Sequence, residues 1–460
     1  MLILPKKQSK VKSLLSLQGN SLSVYSRQLA VGSTRRSTPL YAVLTLKSIV
    51  GGSQSTVCSV QSSSAYRLLL TAYCLLFTAH LFAQPLSRDA KVSLITVSPG
   101  AELYSSFGHN ALWVSDPMQG IDKVYNYGTF DFRTEGFYIK FMRGTLPYQL
   151  SVSPMYYTMY GAQAENRSVT EQVLNLSQNQ KQKLYDYLEN NYLPQNRQYA
   201  YKFFYDNCAT RLRDALKAAC GDSLQYYNQP IRGTFEAKSY RNWMNSYLGN
   251  KPWARFGMNL GIGLPSDHVA TPQEEMYLPN NLRDHVDRAK IGGQKLVLQK
   301  NKLFEPPQPN PVFPPFYELL LSPLFIFILL MGVFSGLTTY QKRRKKISFL
   351  YDKIIFTVIG LAGWLLLLLW IATDHGVTNW NPHLLWAFPL HFPLMFFLGN
   401  PKHSSWVKKY VLFCLILLVI FGVGMIVSSL VLGTIIGQPI EAAFIIIGLF
   451  YRLNFLRKRV

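Results

Sequence analysis

The chain has 460 residues, is 48% hydrophobic and carries a formal charge of +23. That charge is unevenly placed: residues 1–83 hold nine Lys/Arg and no Asp/Glu, residues 341–460 hold thirteen basic and three acidic residues, and the stretch between is nearly balanced. An excess confined to the ends, beside apolar segments and with no basic stripe interleaved with stacking aromatics, is a membrane-topology pattern and argues against a nucleic-acid partner.

Residues 1–65 are Ser-rich, basic and free of acids, and read as a leader outside the folded domains. Arg67 then precedes an apolar run, 68–82, closed by Ala83 and Gln84. A charged start, an apolar stretch of that length and a small residue at the cut make a secretion signal, with cleavage expected after Ala83. Leu81 is bulky for a cleavage site, which leaves an uncleaved anchor as the alternative.

The exported stretch, 84–310, is long enough for one sizeable domain. "AKVSLITVSPG" has strand character and ends at a Pro-Gly turn. "HNALWVSD" and "DKVYNYGTFDF" alternate, are rich in β-branched and aromatic residues, and read as strands joined by "PMQGI". "SQNQKQKLYDYLENNYLP" predicts a helix capped by Ser177 and stopped at Pro194. "NCATRLRDALKAACG" predicts a second helix from Asn207 to Gly221. The fold class expected is α+β. A Pro-rich linker, 301–315, leads to the membrane part, with 311–318 as its end and 319–460 as the transmembrane domain.

That last region is apolar in blocks, giving about five expected α-helical spans at 319–338, 354–372, 384–398, 410–431 and 435–451. The third is short and broken by Pro389 and Pro393. The last carries Glu441. With five spans, "QKRRKK", "PKHSSWVKK" and "RLNFLRKRV" all fall on one side, while "TDHGVTNWNPH" and "GTIIGQP" carry no Lys or Arg. The positive-inside rule then puts residue 310 outside, in agreement with the secretion signal.

Cys208 and Cys220 are the only cysteines of the exported stretch. In one unbroken helix they stand ~18 Å apart, while a disulfide needs Cα atoms within ~7 Å. They therefore cannot bond to each other. Cys208 sits in the first turn, where unpaired N–H groups and the helix dipole favour a thiolate, and near Arg211. Cys220 lies at the wrong end for this and reads as a small buried apolar residue. A thiolate nucleophile needs a proton acceptor. His109 opens a predicted strand behind Gly108, which permits close backbone approach, whereas His268 and His285 read as solvated surface residues. Asn126 and Asp131 on the next strand are candidates to orient the imidazole. The N–H of Cys208 at the helix start is the expected oxyanion donor. No close His/Cys/carboxylate cluster points to a metal, and no cofactor is expected.

"SSFGHNALWV", "VYNYGTFDF" and "FFYDNCATRLRDAL" together resemble the Lnb-type family of Bacteroidetes, built as a signal peptide, a periplasmic domain and C-terminal spans. The resemblance covers roughly 90–400 and includes the loop "TDHGVTNWNPHLLWAFPL". It implies a permuted papain-like (NlpC-type) cysteine-enzyme domain, similar to lecithin:retinol acyltransferase-like proteins, in the periplasm and on the bacterial inner membrane. It implies lipoprotein N-acylation, with a phospholipid acyl donor and a lipoprotein acceptor. Carried over by residue, His109 and Cys208 match the family's pair, and Asn126 stands by analogy for the polar third residue. Asp374, His375 and Asn379 (with Asn381 beside them) are candidates to meet a lipid headgroup. The aromatic run "KFMRGTLPYQLSVSPMYYTMY" is a candidate acyl groove. Two alternatives stay open: a cysteine hydrolase acting on peptide or lipid, and a non-enzymatic membrane-tethered binding module.

Overall fold

A computed structural model describes residues 85–230, 238–307, 316–345, 347–432 and 440–459. The expected secretion signal, most of the Pro-rich linker and the "GTIIGQP" loop lie outside the described residues.

The N-terminal part is built on a seven-stranded antiparallel sheet. Its strands are β1 (Lys91–Val97), β2 (His109–Asp116), β3 (Ile121–Thr129), β4 (Pro147–Ser153), β5 (Val169–Leu174), β6 (Gln198–Ala200) and β7 (Val297–Phe304). The spatial order is β7-β5-β1-β2-β3-β4-β6. β1, "KVSLITV", is almost continuously apolar and β-branched, and is covered on both faces after Lys91. On one face Leu94, Leu112 and Tyr125 pack under α2 (Gln178–Tyr192) and α3 (Cys208–Cys220), which contribute Leu184, Leu212 and Leu216. On the other, Ile95, Val97 and Val124 pack with Met155.

Both helices start where the sequence predicts. Ser177 and Gln180 form a reciprocal capping box on α2, and Asn207 and Thr210 form one on α3. β7 is a correction: 301–304, expected in the linker, extends an edge strand on β5. Its Lys and Gln residues face solvent, which is how an edge strand hides its pattern. A short helix, α1 (Phe137–Met142), follows β3, and α4 (Pro252–Gly261) and α5 (Pro279–Arg288) follow α3, with Leu282 and Val286 of α5 in the same core as α2 and α3.

In the C-terminal part, α6 (Pro323–Arg344), α7 (Leu350–Ile371) and the 401–427 part of the helix formed by α8 (Ser404–Leu432) and the turn before it are long and apolar enough to cross a membrane. α9 (Ile440–Arg457) follows. The stretch 384–398, expected as a span, is not one helix: it contains the end of a 3-10 turn, Pro382–Leu385, and a four-residue helix, His391–Leu394. Pro389 and Pro393 remove the N–H groups that a continuous helix would use. The segment instead runs antiparallel along α7, with Ala387 against Gly363, Phe392 against Gly360 and Gly399 against Phe349.

The two parts are joined by packing as well as by the chain. α4 lies on α6: the Trp253 indole donates to the Leu321 carbonyl (2.8 Å), and Phe256 packs on Phe327 at 4.9 Å between centroids. The loop after α7 is hydrogen-bonded to the end of α4, through Gly263 N–H to the Val377 carbonyl (2.7 Å) and the Asn381 amide to the Leu260 carbonyl (2.8 Å).

Candidate active site

His109 is the first residue of β2 and Cys208 the first of α3. β2 pairs with β1 from His109 onward, but its pairing with β3 begins only at Leu112 and Tyr125. The opening residues of β2 are thus free on the β3 side, and the start of α3 reaches into that notch. The Cys208 sulfur there accepts from the backbone N–H groups of Asn110 and Ala209. Gly108 makes the turn into β2 at φ +81, where a Cβ would stand 2.9 Å from the Val97 carbonyl oxygen.

Nε2 of His109 lies 3.2 Å from Oδ1 of Asn126. Asn126 sits beside an irregularity in the β3–β4 register, a feature that re-aims side chains. The imidazole is also hydrogen-bonded to the Cys208 thiol. Burial pushes the thiol's pKa up, but the charge and hydrogen bond of His109, with the two backbone donors, outweigh it and hold the pKa below the ordinary thiol value. Burial likewise disfavours the imidazolium, and the Cys208 thiolate with Asn126 outweighs that and raises the His109 pKa. The pair thus favours thiolate and imidazolium together.

Cys220, at the far end of α3, is a free thiol that burial pushes up to about 11. Arg211, expected near the thiol, turns instead to Asp206 (2.6 and 2.7 Å) and lies 3.9 Å over the Tyr199 ring. Asp131 is taken by Arg133 (2.7 Å) at the surface, so of the two candidates the imidazole meets Asn126. His268 is exposed beside Glu274. His285 corrects the surface reading: it is fully buried, with Nε2 2.6 Å from Glu275 and Nδ1 3.0 Å from the Tyr227 carbonyl. Charged neighbours in sequence point away from its face of α5.

Sequence reasoning missed two tyrosines. Gly128 is flanked by the Cys208 side chain, the Tyr201 ring and the Tyr199 hydroxyl. That hydroxyl is buried without a hydrogen-bond partner. The spacing of two in "YAYKFFYDNC" is the available signal, since it puts both tyrosines on one face of an extended segment.

The loop candidates are tied to groups of their own. Asp374 pairs with Lys202 (2.7 Å), and its N–H donates to the Arg143 carbonyl (2.8 Å). His375 Nε2 donates to the Met142 carbonyl (2.8 Å). Asn379 backs onto Gly263, and Asn381 caps the 3-10 turn that follows it.

Comparison with known families matches residues 82–246 to the Lnb N-terminal periplasmic domain and residues 316–457 to the Lnb transmembrane domain. No curated protein and no solved structure matched the chain. The protein is a membrane protein with a periplasmic N-terminal domain. With both domains present in order and covering more than half of its length, the chain belongs to the Lnb family.

Proposed function

We propose that this protein is a lipoprotein N-acyltransferase of the bacterial inner membrane, with Cys208 as nucleophile, His109 as its acid–base partner and Asn126 as the acceptor that orients the imidazole. The observation that carries the reading is the meeting of these three side chains in a chain with both Lnb domains. The order His, Asn, Cys along the chain fits a permuted papain-like domain.

In the first half-reaction the Cys208 sulfur attacks the carbonyl carbon of a phospholipid acyl ester. The C–O bond breaks, and the proton that the thiol gave to His109 passes to the departing lysolipid oxygen. In the second, the α-amine of a diacylated lipoprotein attacks the thioester carbonyl. His109, neutral again, takes the amine proton and returns it to the leaving sulfur. With Nε2–H held by Asn126, Nδ1 is the nitrogen that exchanges the proton. The Cys208 N–H and the Tyr199 hydroxyl are the donors for the oxyanion of each tetrahedral intermediate. A thioester suits an amine acceptor, because amines displace it more readily than an oxygen ester.

The membrane domain is read as five crossings. Segment 382–400 follows α7 along its length, and α9 starts beside α4, where Arg255 meets Glu441 at 3.5 Å. Asp374, His375 and Asn379 are read as fixing the loop at headgroup level.

The test is mass spectrometry of a lipoprotein N-terminus from cells with the wild-type chain and with Cys208→Ser, together with trapping of an acyl-thioester on Cys208. The expected result is one acyl group fewer in the variant. An unchanged acyl count would turn the same pair of residues into a hydrolase with water as acceptor.

A further inference from the structure

Helix α1 is out of place for a water-facing domain. Of its six residues only Phe137 is buried; Tyr138, Ile139, Phe141 and Met142 are 77%, 61%, 53% and 53% exposed. Four large apolar side chains on little more than one turn are a patch that soluble surfaces rarely carry. The location of α1 supplies the reason. Its C-terminal end is tied to the loop that leaves α7, through the Arg143 and Met142 carbonyls, and α7 ends at Ile371, three residues before Asp374. α1 therefore lies at the level where a membrane span gives way to the periplasm. Its Lys140 and the following Arg143 are suited to lipid phosphates at that depth.

From α1 a row of rings leads inward. Phe137 lies 5.9 Å from Phe130, Phe130 lies 5.3 Å from Tyr148, and Tyr148 stacks on Tyr201 at 4.4 Å. Tyr201 and Cys208 both border Gly128. Phe130, Tyr148 and Tyr201 are only half-buried, so the row presents an open apolar side.

We infer that α1 dips into the outer leaflet and that an acyl chain of a leaflet phospholipid passes along the Phe130–Tyr148–Tyr201 row to Cys208. The inference rests on the acyl-transfer reading and narrows it: the donor enters sideways from the bilayer and is not a soluble acyl carrier. The occupant is a lipid chain because the patch is continuous with the outer end of a span, where hydrocarbon is the neighbouring phase.

The test uses the full chain with Cys208→Ala in vesicles of phosphatidylethanolamine and phosphatidylglycerol, doped with a phospholipid carrying a photoactivatable group in its acyl chain. Adducts are expected on Ile139 or Phe141 and on Tyr148; adducts confined to the spanning helices would overturn the inference. A second variant, Ile139→Asp with Phe141→Asp in the active chain, changes exposed side chains. Acylation of Cys208 from vesicle phospholipid is expected to fall by roughly tenfold or more relative to acylation from a short-chain activated ester in solution. Equal losses with both donors, or none, would count against it. Adducts on Ile139 and Tyr148 without acylation of Cys208 from either donor would keep the lipid contact and overturn the transferase reading instead.

Discussion

Cys208 and Cys220 are the same side chain at opposite ends of one helix, and their surroundings make them opposites. His109 and two backbone donors lower the pKa of the first, while burial raises that of the second to about 11. The sign of the lowering fixes a pH dependence. A free thiol titrates near ~8.5, so Cys208 keeps its thiolate at pH values below that and loses it only as pH falls through its depressed pKa. Alkylation of Cys208 by iodoacetamide, followed against pH, is expected to begin its rise below the free-thiol range. His109→Ala removes the main opposing charge and is expected to move that rise upward; a wild-type profile matching free cysteine would end the ion-pair description. In turnover, His109→Ala is expected to lose roughly 10²–10⁴-fold. Tyr199→Phe deletes a hydroxyl with no other partner and is expected to lower the acylation rate by about 10²-fold with little change in alkylation. A Tyr199→Phe enzyme acylated at the wild-type rate would remove that hydroxyl from the oxyanion site.

At the scale of elements, α3 was legible in the sequence from end to end. Its cap, its apolar stripe at Leu212, Ala215, Leu216 and Ala219, and its terminal glycine are all local signals. The Asn207 side chain accepts from Ala209 and Thr210 and donates to the Phe203 and Tyr277 carbonyls (2.7 and 2.9 Å). Asn207→Ala is therefore expected to exceed a simple cap loss of about 0.5–2 kcal/mol, read as a lowered melting temperature, and to raise the alkylation midpoint of Cys208 as the helix start loosens. If Asn207→Ala melts like the wild type, the cap is not what holds the thiol. What the sequence hid was non-local. His285 finds Glu275 and Tyr227 through the tertiary fold, so its charged neighbours in sequence misdirect. β7 pairs with a strand far behind it in the chain. The broken segment 382–400 looks apolar enough for a helix, but its prolines decide its backbone. The pairing of His109 with Asn126 followed from the hairpin, because β2 and β3 are adjacent in sequence, whereas the tyrosines beside Cys208 came from an edge strand, which holds Tyr199, and the residue just past its end, Tyr201, placed by a register only the sheet defines.

For the whole molecule, the question is how firmly the thiol's domain is held over the membrane part. Some contacts between them are weak: the Lys202–Asp374 pair is largely solvated on one side and is worth about 0–1 kcal/mol. The backbone seam at Gly263 is different. Its N–H reaches the Val377 carbonyl, and Leu264 N–H reaches Trp380 at 3.3 Å, so strand-like contacts join the end of α4 to the loop after α7. A Cβ on Gly263 would stand 1.7 Å from the Asn379 carbonyl oxygen, a position no side chain can occupy without parting the two segments. The backbone of Gly263 is extended, so space alone, and not conformation, forbids a larger residue. Gly263→Val should therefore open the seam at a cost of about 1–3 kcal/mol or more. The Cys208–His109 pair is carried by β2 and α3, neither of which contributes a residue to that seam's backbone hydrogen bonds. Iodoacetamide alkylation is then expected to keep its wild-type pH profile, while acylation from bilayer phospholipid falls and proteolytic cleavage between residues 372 and 381 speeds up. If Gly263→Val leaves both acylation and proteolysis unchanged, the seam does not position the domain, and the placing of the thiol over the membrane falls to the α4–α6 contact and the ties between α1 and the loop after α7.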